Sequence, residues 1–308
     1  MHIQWYPGHM HKARKQIKET LPKVDIIIEV LDARIPFSSQ NPLLNSLRGD
    51  KPCIKVLNKS DLADALISKI WQEYLEQQRN IKTIALSSSQ PDKMRKIIDL
   101  CHKIVPEKAK SDRGIHAMIV GIPNVGKSTL INILAKRIIA KTGNEPAITK
   151  TQQVIKIDHN ITLLDTPGML WPKIENENSS YRLATTGAIK DTAIDHTDIA
   201  FFAADFLLQH YPEQLQKRYQ FDTIPKNELE LLEYIGRQRG CLRSGGQVEL
   251  NQVSSIFLNE LRNGTLGNIT LETPDVITQE LLKVEQIKKD SIDKKALRKS
   301  NFKKRTRT

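Results

Sequence analysis

Short apolar, β-branched runs alternate with helical periodicity through the first half of the chain. "VDIIIEVLDARIP" (24–36), "PCIKVLNKSD" (52–61) and "IKTIALSSS" (81–89) each read as a buried strand ended by a turn, and Leu62 to Gln78 follows the helical period between the last two. "HAMIVG" (116–121) predicts another strand, running into a glycine-bearing loop and a helix from about Lys127 to Arg137. "QVIKID" and "ITLLDTPG" close this half at 153–168. Strand alternating with helix predicts an α/β fold, a parallel-rich sheet with helices on both faces. From about Ser179 onward the text is helical. Ile199, Phe202, Ala203, Phe206 and Leu207 form one packing stripe, and further helices are expected over 226–237 and 249–262, before a short extended piece at 267–274. The expected division is an α/β domain over 1–176, a smaller helical domain over 177–282 and a tail over 283–308.

Composition points to a class of partner only through charge. Lys and Arg number 47 against 35 Asp and Glu, a formal +12 that favours polyanions. Residues 283–308 hold eleven Lys/Arg and three Asp/Glu, so the tail carries +8 and is expected to be disordered and to meet RNA phosphates. No apolar run approaches the roughly 18 residues of a membrane helix, and the opening "MHIQWYPGHMHKARK" lacks the apolar stretch of a secretory signal. A soluble, cytoplasmic protein without a membrane partner is expected. Cys53, Cys101 and Cys241 are widely spaced and contain no CxxC pair, so neither a disulfide framework nor a zinc site follows from them.

Three motifs carry chemistry. Gly121 to Ser128, "GIPNVGKS", fits G-x-x-x-x-G-K-[ST] between a predicted strand and a predicted helix, the context in which that pattern cradles phosphates. Gly121 and Gly126 let the backbone curl so that successive amides face phosphate oxygens, with Val125 and Thr129 among the cradle residues. Lys127 then reaches the β and γ phosphates and Ser128 offers its hydroxyl to Mg²⁺. "DTPG" supplies Asp165 to the Mg²⁺ shell and the Gly168 amide to the γ phosphate. Asn58, Lys59 and Asp61 spell N-K-x-D at a strand end. The aspartate there accepts two hydrogen bonds from guanine N1–H and the exocyclic amine, a donor pair that adenine does not present. The same four residues also suit a polar turn in which Asp61 caps the next helix. The amides of Ser88 and Ser89 suit guanine O6.

Guanine reader, serine loop, phosphate cradle, threonine-bearing loop and DTPG stand in a cyclic shift of the usual order. Every one of these loops is expected at the carboxyl end of a parallel strand, so the sheet can be cut and rejoined without moving the site. With "IQWYPGHMHKA" (3–13), "DARIP", "NKSD", "IPNVGKSTLIN", "LLDTPGMLWPK", "GAIKD" and "RGCLRSGG" (239–246), the chain up to about Pro274 resembles the circularly permuted GTPases of the ribosome biogenesis GTPase A family. It departs from the family at "PAIT" (146–149), where the family reads P-G-I-T; Thr149 stays available for Mg²⁺ without the glycine's freedom.

That resemblance implies a GTP-hydrolysing assembly factor that binds the immature large (50S) ribosomal subunit and its rRNA, leaves on hydrolysis, needs Mg²⁺, is stimulated by K⁺ and acts as a monomer. Met169 stands where Ras-like GTPases place a water-orienting glutamine, and a thioether cannot take that role. The resemblance implies His9 instead, acting with Lys127 and Thr149; as plain sequence, His9 also suits an exposed position on a basic helix packed through Met10, Ala13, Ile17 and Leu21. Asn124 resembles the asparagine that coordinates K⁺ in potassium-stimulated GTPases, and equally suits a hydrogen bond within its loop. Lys12, Arg14, Lys15, Arg237, Arg239 and Arg243 are candidate phosphate contacts. The alternatives are a nucleotide-gated RNA-binding module with incidental hydrolysis, or a GTPase acting on the small subunit or on transfer RNA.

Overall fold

Strand β1 (Ile26–Asp32) is buried along its whole length, as the uninterrupted apolar run requires of a strand covered on both faces. It lies inside a six-stranded sheet in a computed structural model that describes residues 8–139, 153–172 and 174–305. The other strands are β2 (Cys53–Asn58), β3 (Ile81–Ala85), β4 (Ile115–Gly121), β5 (Gln153–Lys156) and β6 (Ile161–Asp165), in the spatial order β3-β2-β1-β4-β6-β5. All pairs are parallel except β5 with β6 at the edge. The chain steps outward from β1 to β3 and then returns to lay β4 on the other side of β1. A crevice therefore opens at the carboxyl ends of β1 and β4, where the strand order reverses.

The helices in chain order are α1 (Gly8–Thr20), α2 (Pro42–Arg48), α3 (Ala65–Glu76), α4 (Pro91–Ile104), α5 (Pro106–Ala109), α6 (Lys127–Leu134), α7 (Glu177–Thr185), α8 (His196–His210), α9 (Pro212–Tyr219), α10 (Glu228–Gln238), α11 (Leu250–Arg262) and α12 (Pro274–Arg305). Asn176 caps α7 by accepting from Asn178 N at 3.1 Å. One hydrophobic core runs from the sheet through Met169, Leu170 and Ile174 into Leu183, Ala184 and the inner faces of α8, α10 and α11. A smaller cluster under α3 joins Leu31, Leu57, Trp71 and Leu75 to Ile277 of α12. Among the described residues, no helix is long and apolar enough to cross a membrane.

Two expectations change. The buried stripe of α8 is Ile199, Ala200, Ala203, Ala204 and Leu207; Phe202 and Phe206 are only half-buried on its flank. Phe202 stacks on Tyr181 and Phe206 lies against His210. The tail, expected to be disordered, is helical as far as Arg305. Thr273 Oγ1 accepts from Val276 N at 3.3 Å, Pro274 opens the helix, and Ile277 anchors its first turn in the core. Once nucleated, the helix continues through Leu, Glu, Gln, Lys, Ala and Arg, all good helix formers. High charge argues against a packed core and leaves helix formation open. Met10 and Ile17 in α1, and Leu21 in the turn just after it, are buried as expected, and the Ala13 side chain lies outside the described residues.

Candidate functional site

The guanine motif and the phosphate loop close on each other. Asn58, the last residue of β2, donates from Nδ2 to the Val125 carbonyl at 2.7 Å. Gly126, with φ of +89°, accommodates that side chain: a Cβ there would lie 2.2 Å from Asn58 Nδ2. Gly121 ends β4, and a Cβ on it would meet the Val30 carbonyl of β1 at 2.8 Å. DTPG rests on the same loop. Met169 N donates to Gly121 O at 3.2 Å, Thr166 Oγ1 to Ile119 O at 2.9 Å, and a Cβ on Gly168 would stand 3.2 Å from Pro123 Cα. Val125 is buried, whereas Ser128 and Thr129, in the first turn of α6, are half-buried.

Lys127 and Asp165 face each other as a buried ion pair, Nζ to Oδ1, at 5% and 0% exposure. Burial pushes the lysine below and the carboxyl above its ordinary range, and their mutual attraction opposes both shifts. The second oxygen, Asp165 Oδ2, is buried without a hydrogen-bond partner among the described residues. A buried carboxylate oxygen left over in this way is chemistry that fits a hard, oxygen-seeking Mg²⁺. The ion would neutralise phosphate charge there, with Ser128 and Asp165 as its protein side.

Asp61 is exposed beyond β2, and the helix that follows has another cap. Asp64 accepts from Leu66 N at 2.8 Å and Ile67 N at 3.1 Å. The capping alternative for Asp61 is therefore set aside. Lys59 adopts φ of +59° and reaches Asp32 Oδ2 at 2.9 Å. Asp32 in turn holds Arg34 through Nε at 2.9 Å and Nη2 at 2.7 Å. Burial alone would raise the Asp32 carboxyl, yet the charges and hydrogen bonds of Arg34 and Lys59 hold it well below the usual carboxylate range. Ser60 N donates to Leu86 O at 3.0 Å, tying the reader to the serine loop. Within that loop Ser89 N donates to Ser87 Oγ at 3.1 Å, so Ser89's amide is used internally; Ser88 is exposed. With Asp61 taken as the guanine acceptor that the sequence predicts, Asp61→Asn keeps one acceptor but turns an amide donor on the exocyclic amine. GTP binding is expected to weaken by about 2 kcal/mol, roughly thirtyfold, and the preference over other purines to relax, as competition titrations will read.

Met169 is buried and lines a small cavity with Ile17 of α1, Glu29 and Thr166, so α1 lies beside the residue that follows DTPG. His9 stands in the first turn of that helix; its side chain lies outside the described residues, as does all of Thr149. Asn124, at φ of +57°, donates from Nδ2 to the Gly187 carbonyl at 2.8 Å, which ties the phosphate loop to the turn after α7. Arg237, Arg239 and Arg243 are engaged by Glu233, Glu260 and Glu249, so phosphate contact by any of them requires an exchange of partners. Lys15 lies 3.9 Å from Glu19, and the Lys12 side chain is outside the described residues. Sequence reading assigned no part to Arg34 or Arg262. Arg262 binds the Thr185 and Ala184 carbonyls and Asp191, and its own carbonyl accepts from Arg34 Nη1 at 3.1 Å. "DARIP" was the available signal for Arg34; nothing local marks Arg262.

A family model described as 50S ribosome-binding GTPase matches residues 116–238. Ribosome biogenesis GTPase A of Bacillus cereus is 47% identical over 282 residues, which cover 89% of this chain and 95% of that protein. The GNP-bound YlqF structure from Thermotoga maritima is similar at 29% identity and TM-score 0.61, over 86% of this chain and 99% of that one. A GDP-bound YlqF structure gives 28% identity and TM-score 0.62, over 84% of this chain and 99% of that one.

Proposed function

This chain belongs to the ribosome biogenesis GTPase A family and hydrolyses GTP in ribosome assembly, and from that premise we propose that it grips the immature large subunit in its GTP state and leaves it on hydrolysis. The observation that carries this reading is where the permutation puts DTPG. Asp165 to Gly168 run straight through buried Leu170 and Ile174 into α7, and Asn124 of the phosphate loop is bonded to Gly187 just past α7. A rearrangement on loss of the γ phosphate therefore pulls on the helical part, residues 177–282, which in this reading carries the rRNA contacts with the basic α12. Lys127 and the amides of the loop meet the phosphates, Ser128, Thr149 and Asp165 serve Mg²⁺, Asn124 serves K⁺, and Asp61 reads the base. The protein acts as a cytoplasmic monomer. Co-sedimentation with large- and small-subunit precursors, in a non-hydrolysable GTP analogue and in GDP, tests this reading. Retention on large-subunit particles in the analogue only is expected; equal affinity in both nucleotides, or preference for the small subunit, would overturn it.

His9 is the proposed group for the attacking water, because the buried Met169 has no proton chemistry to offer. His9→Ala is expected to leave GTP affinity within about twofold while lowering turnover by about 10²-fold, the ordinary yield of a positioned acid or base. Single-turnover rates with and without large-subunit particles, in K⁺ and in Na⁺, read both this loss and the cation's share; intact turnover would remove His9 from the reaction.

A further inference from the structure

The turn that bears Asp61 is held from far along the chain. Leu62 N closes it on Lys59 O at 2.9 Å. The groups that follow turn to a segment 207 residues downstream: Asn268 Nδ2 donates to Asp61 O at 2.7 Å and to Ala63 O at 3.2 Å. Between them, Ile269 N donates to Leu62 O at 3.0 Å, and Asp64 N donates to Thr270 Oγ1 at 3.0 Å. Four consecutive residues of the reader are thus fixed by three of the strap. The strap is itself pinned, since Thr270 exchanges two 3.1 Å bonds with the Tyr211 hydroxyl and Leu271 N donates to Arg34 O at 2.8 Å. It joins α11 to α12.

We infer that Asn268 is a positioning residue for guanine selection, holding the Asp61 main chain so that its carboxylate meets both donors of the base. The inference rests on the reading of Asp61 as the guanine reader. An amide nitrogen has two hydrogens, and Asn268 gives one to each of two carbonyls that flank Leu62. Its side chain is exposed and fills no core space, so alignment of the turn is what it contributes. Accepting two neighbouring hydrogen bonds is the most direction-sensitive demand on that carboxylate, because each weakens steeply off its axis. Base recognition is in this way coupled to the helical part, whose last helix begins two residues after Glu272.

Inosine triphosphate lacks the exocyclic amine and makes only one of the two bonds, so the ratio of GTP to inosine triphosphate affinity reports alignment. The full chain is titrated with both nucleotides as wild type, Asn268→Ala, Asn268→Asp and Asp61→Ala. Asn268→Asp keeps the shape while removing both donors. The ratio is expected to fall about fivefold in each Asn268 variant, and to approach one in Asp61→Ala. A ratio unchanged in both Asn268 variants but lost in Asp61→Ala would overturn the positioning role and leave the guanine reader standing. Equal weakening of both nucleotides, with the ratio kept, would likewise reduce Asn268 to a structural residue. A ratio that survives Asp61→Ala would defeat the guanine reading, and the positioning role with it.

Discussion

Alanine at Lys127 is expected to abolish measurable GTP binding, a loss on the order of 10³-fold. Among the described residues, the ammonium is the one cation inside the phosphate loop, at the first position of α6, and it is desolvated there. Hydrogen bonds from a charged donor to phosphate contribute roughly 1.5–3 kcal/mol each, and removing a buried partner adds the penalty of the charge left behind. Without nucleotide, the same change strands Asp165, whose Oδ1 then loses the ion-pair partner it has among the described residues. Lys127→Ala is therefore also expected to lower the stability of the unliganded protein by about 3 kcal/mol. The double variant Lys127→Ala/Asp165→Asn separates the two effects. Removing both charges restores most of the stability, because no buried charge stays unpaired, whereas binding remains absent. Calorimetric titration and urea unfolding measure the two losses. Binding within tenfold of wild type in either variant would show that the loop holds phosphate by its amides alone.

The parts of this molecule legible in the sequence are those fixed by continuous burial or by a required backbone shape. β1, β2 and β4 are read as near-unbroken apolar text because they are covered on both faces. The meeting of Asn58 with Gly126 was implied by two motifs that only make sense around one nucleotide. Where burial falls on small residues the pattern misleads. Ala200 and Ala204 line the inner face of α8 because alanine allows neighbouring helices a close approach, and the larger Phe202 and Phe206 are displaced to the flank. Two aspartates three apart, Asp61 and Asp64, are equivalent as text for a cap, and the choice follows from where α3 begins. The strap at 268–272 has no periodicity at all. It is held by main-chain and amide hydrogen bonds to residues some two hundred positions away, which no local pattern encodes. Helix α12 shows the reverse error, since net charge speaks to solvation and partners and says little about backbone conformation.

Asp32→Asn is expected to destabilise the fold by about 3–5 kcal/mol, although it lies outside every nucleotide motif. The Asp32 side chain is 3% exposed and carries two cations, Arg34 at 2.7 Å and Lys59 at 2.9 Å, with the Arg34 amide also bonded to Oδ1 at 3.1 Å. An asparagine retains the shape and removes the buried negative charge that faces both. Arg34 cannot shed its proton, so among the described residues the variant's buried guanidinium keeps only the exposed Asp61, whose field already reaches it, as counter-charge. Lys59 can respond, because burial already pushes its ammonium below the usual lysine range. Replacing it as well, in Asp32→Asn/Lys59→Met, is expected to recover part of the lost stability while guanine recognition stays impaired. The pH dependence follows from the sign of the Asp32 shift. Its folded carboxyl titrates below the unfolded value of about 3.9, so the contribution is complete above that pH and fades only as the solution is acidified through the lower folded value. The gap between wild type and variant is therefore expected to stay level from pH 5 to 8 and to close in strong acid. Urea midpoints across that range decide it. A gap under about 1 kcal/mol at neutral pH would mean that water, not Asp32, balances the two cations. Because Arg34 also bonds Arg262 O and its carbonyl accepts from Leu271 N, the loss is expected to loosen the strap on the Asp61 turn as well as Lys59 within that turn.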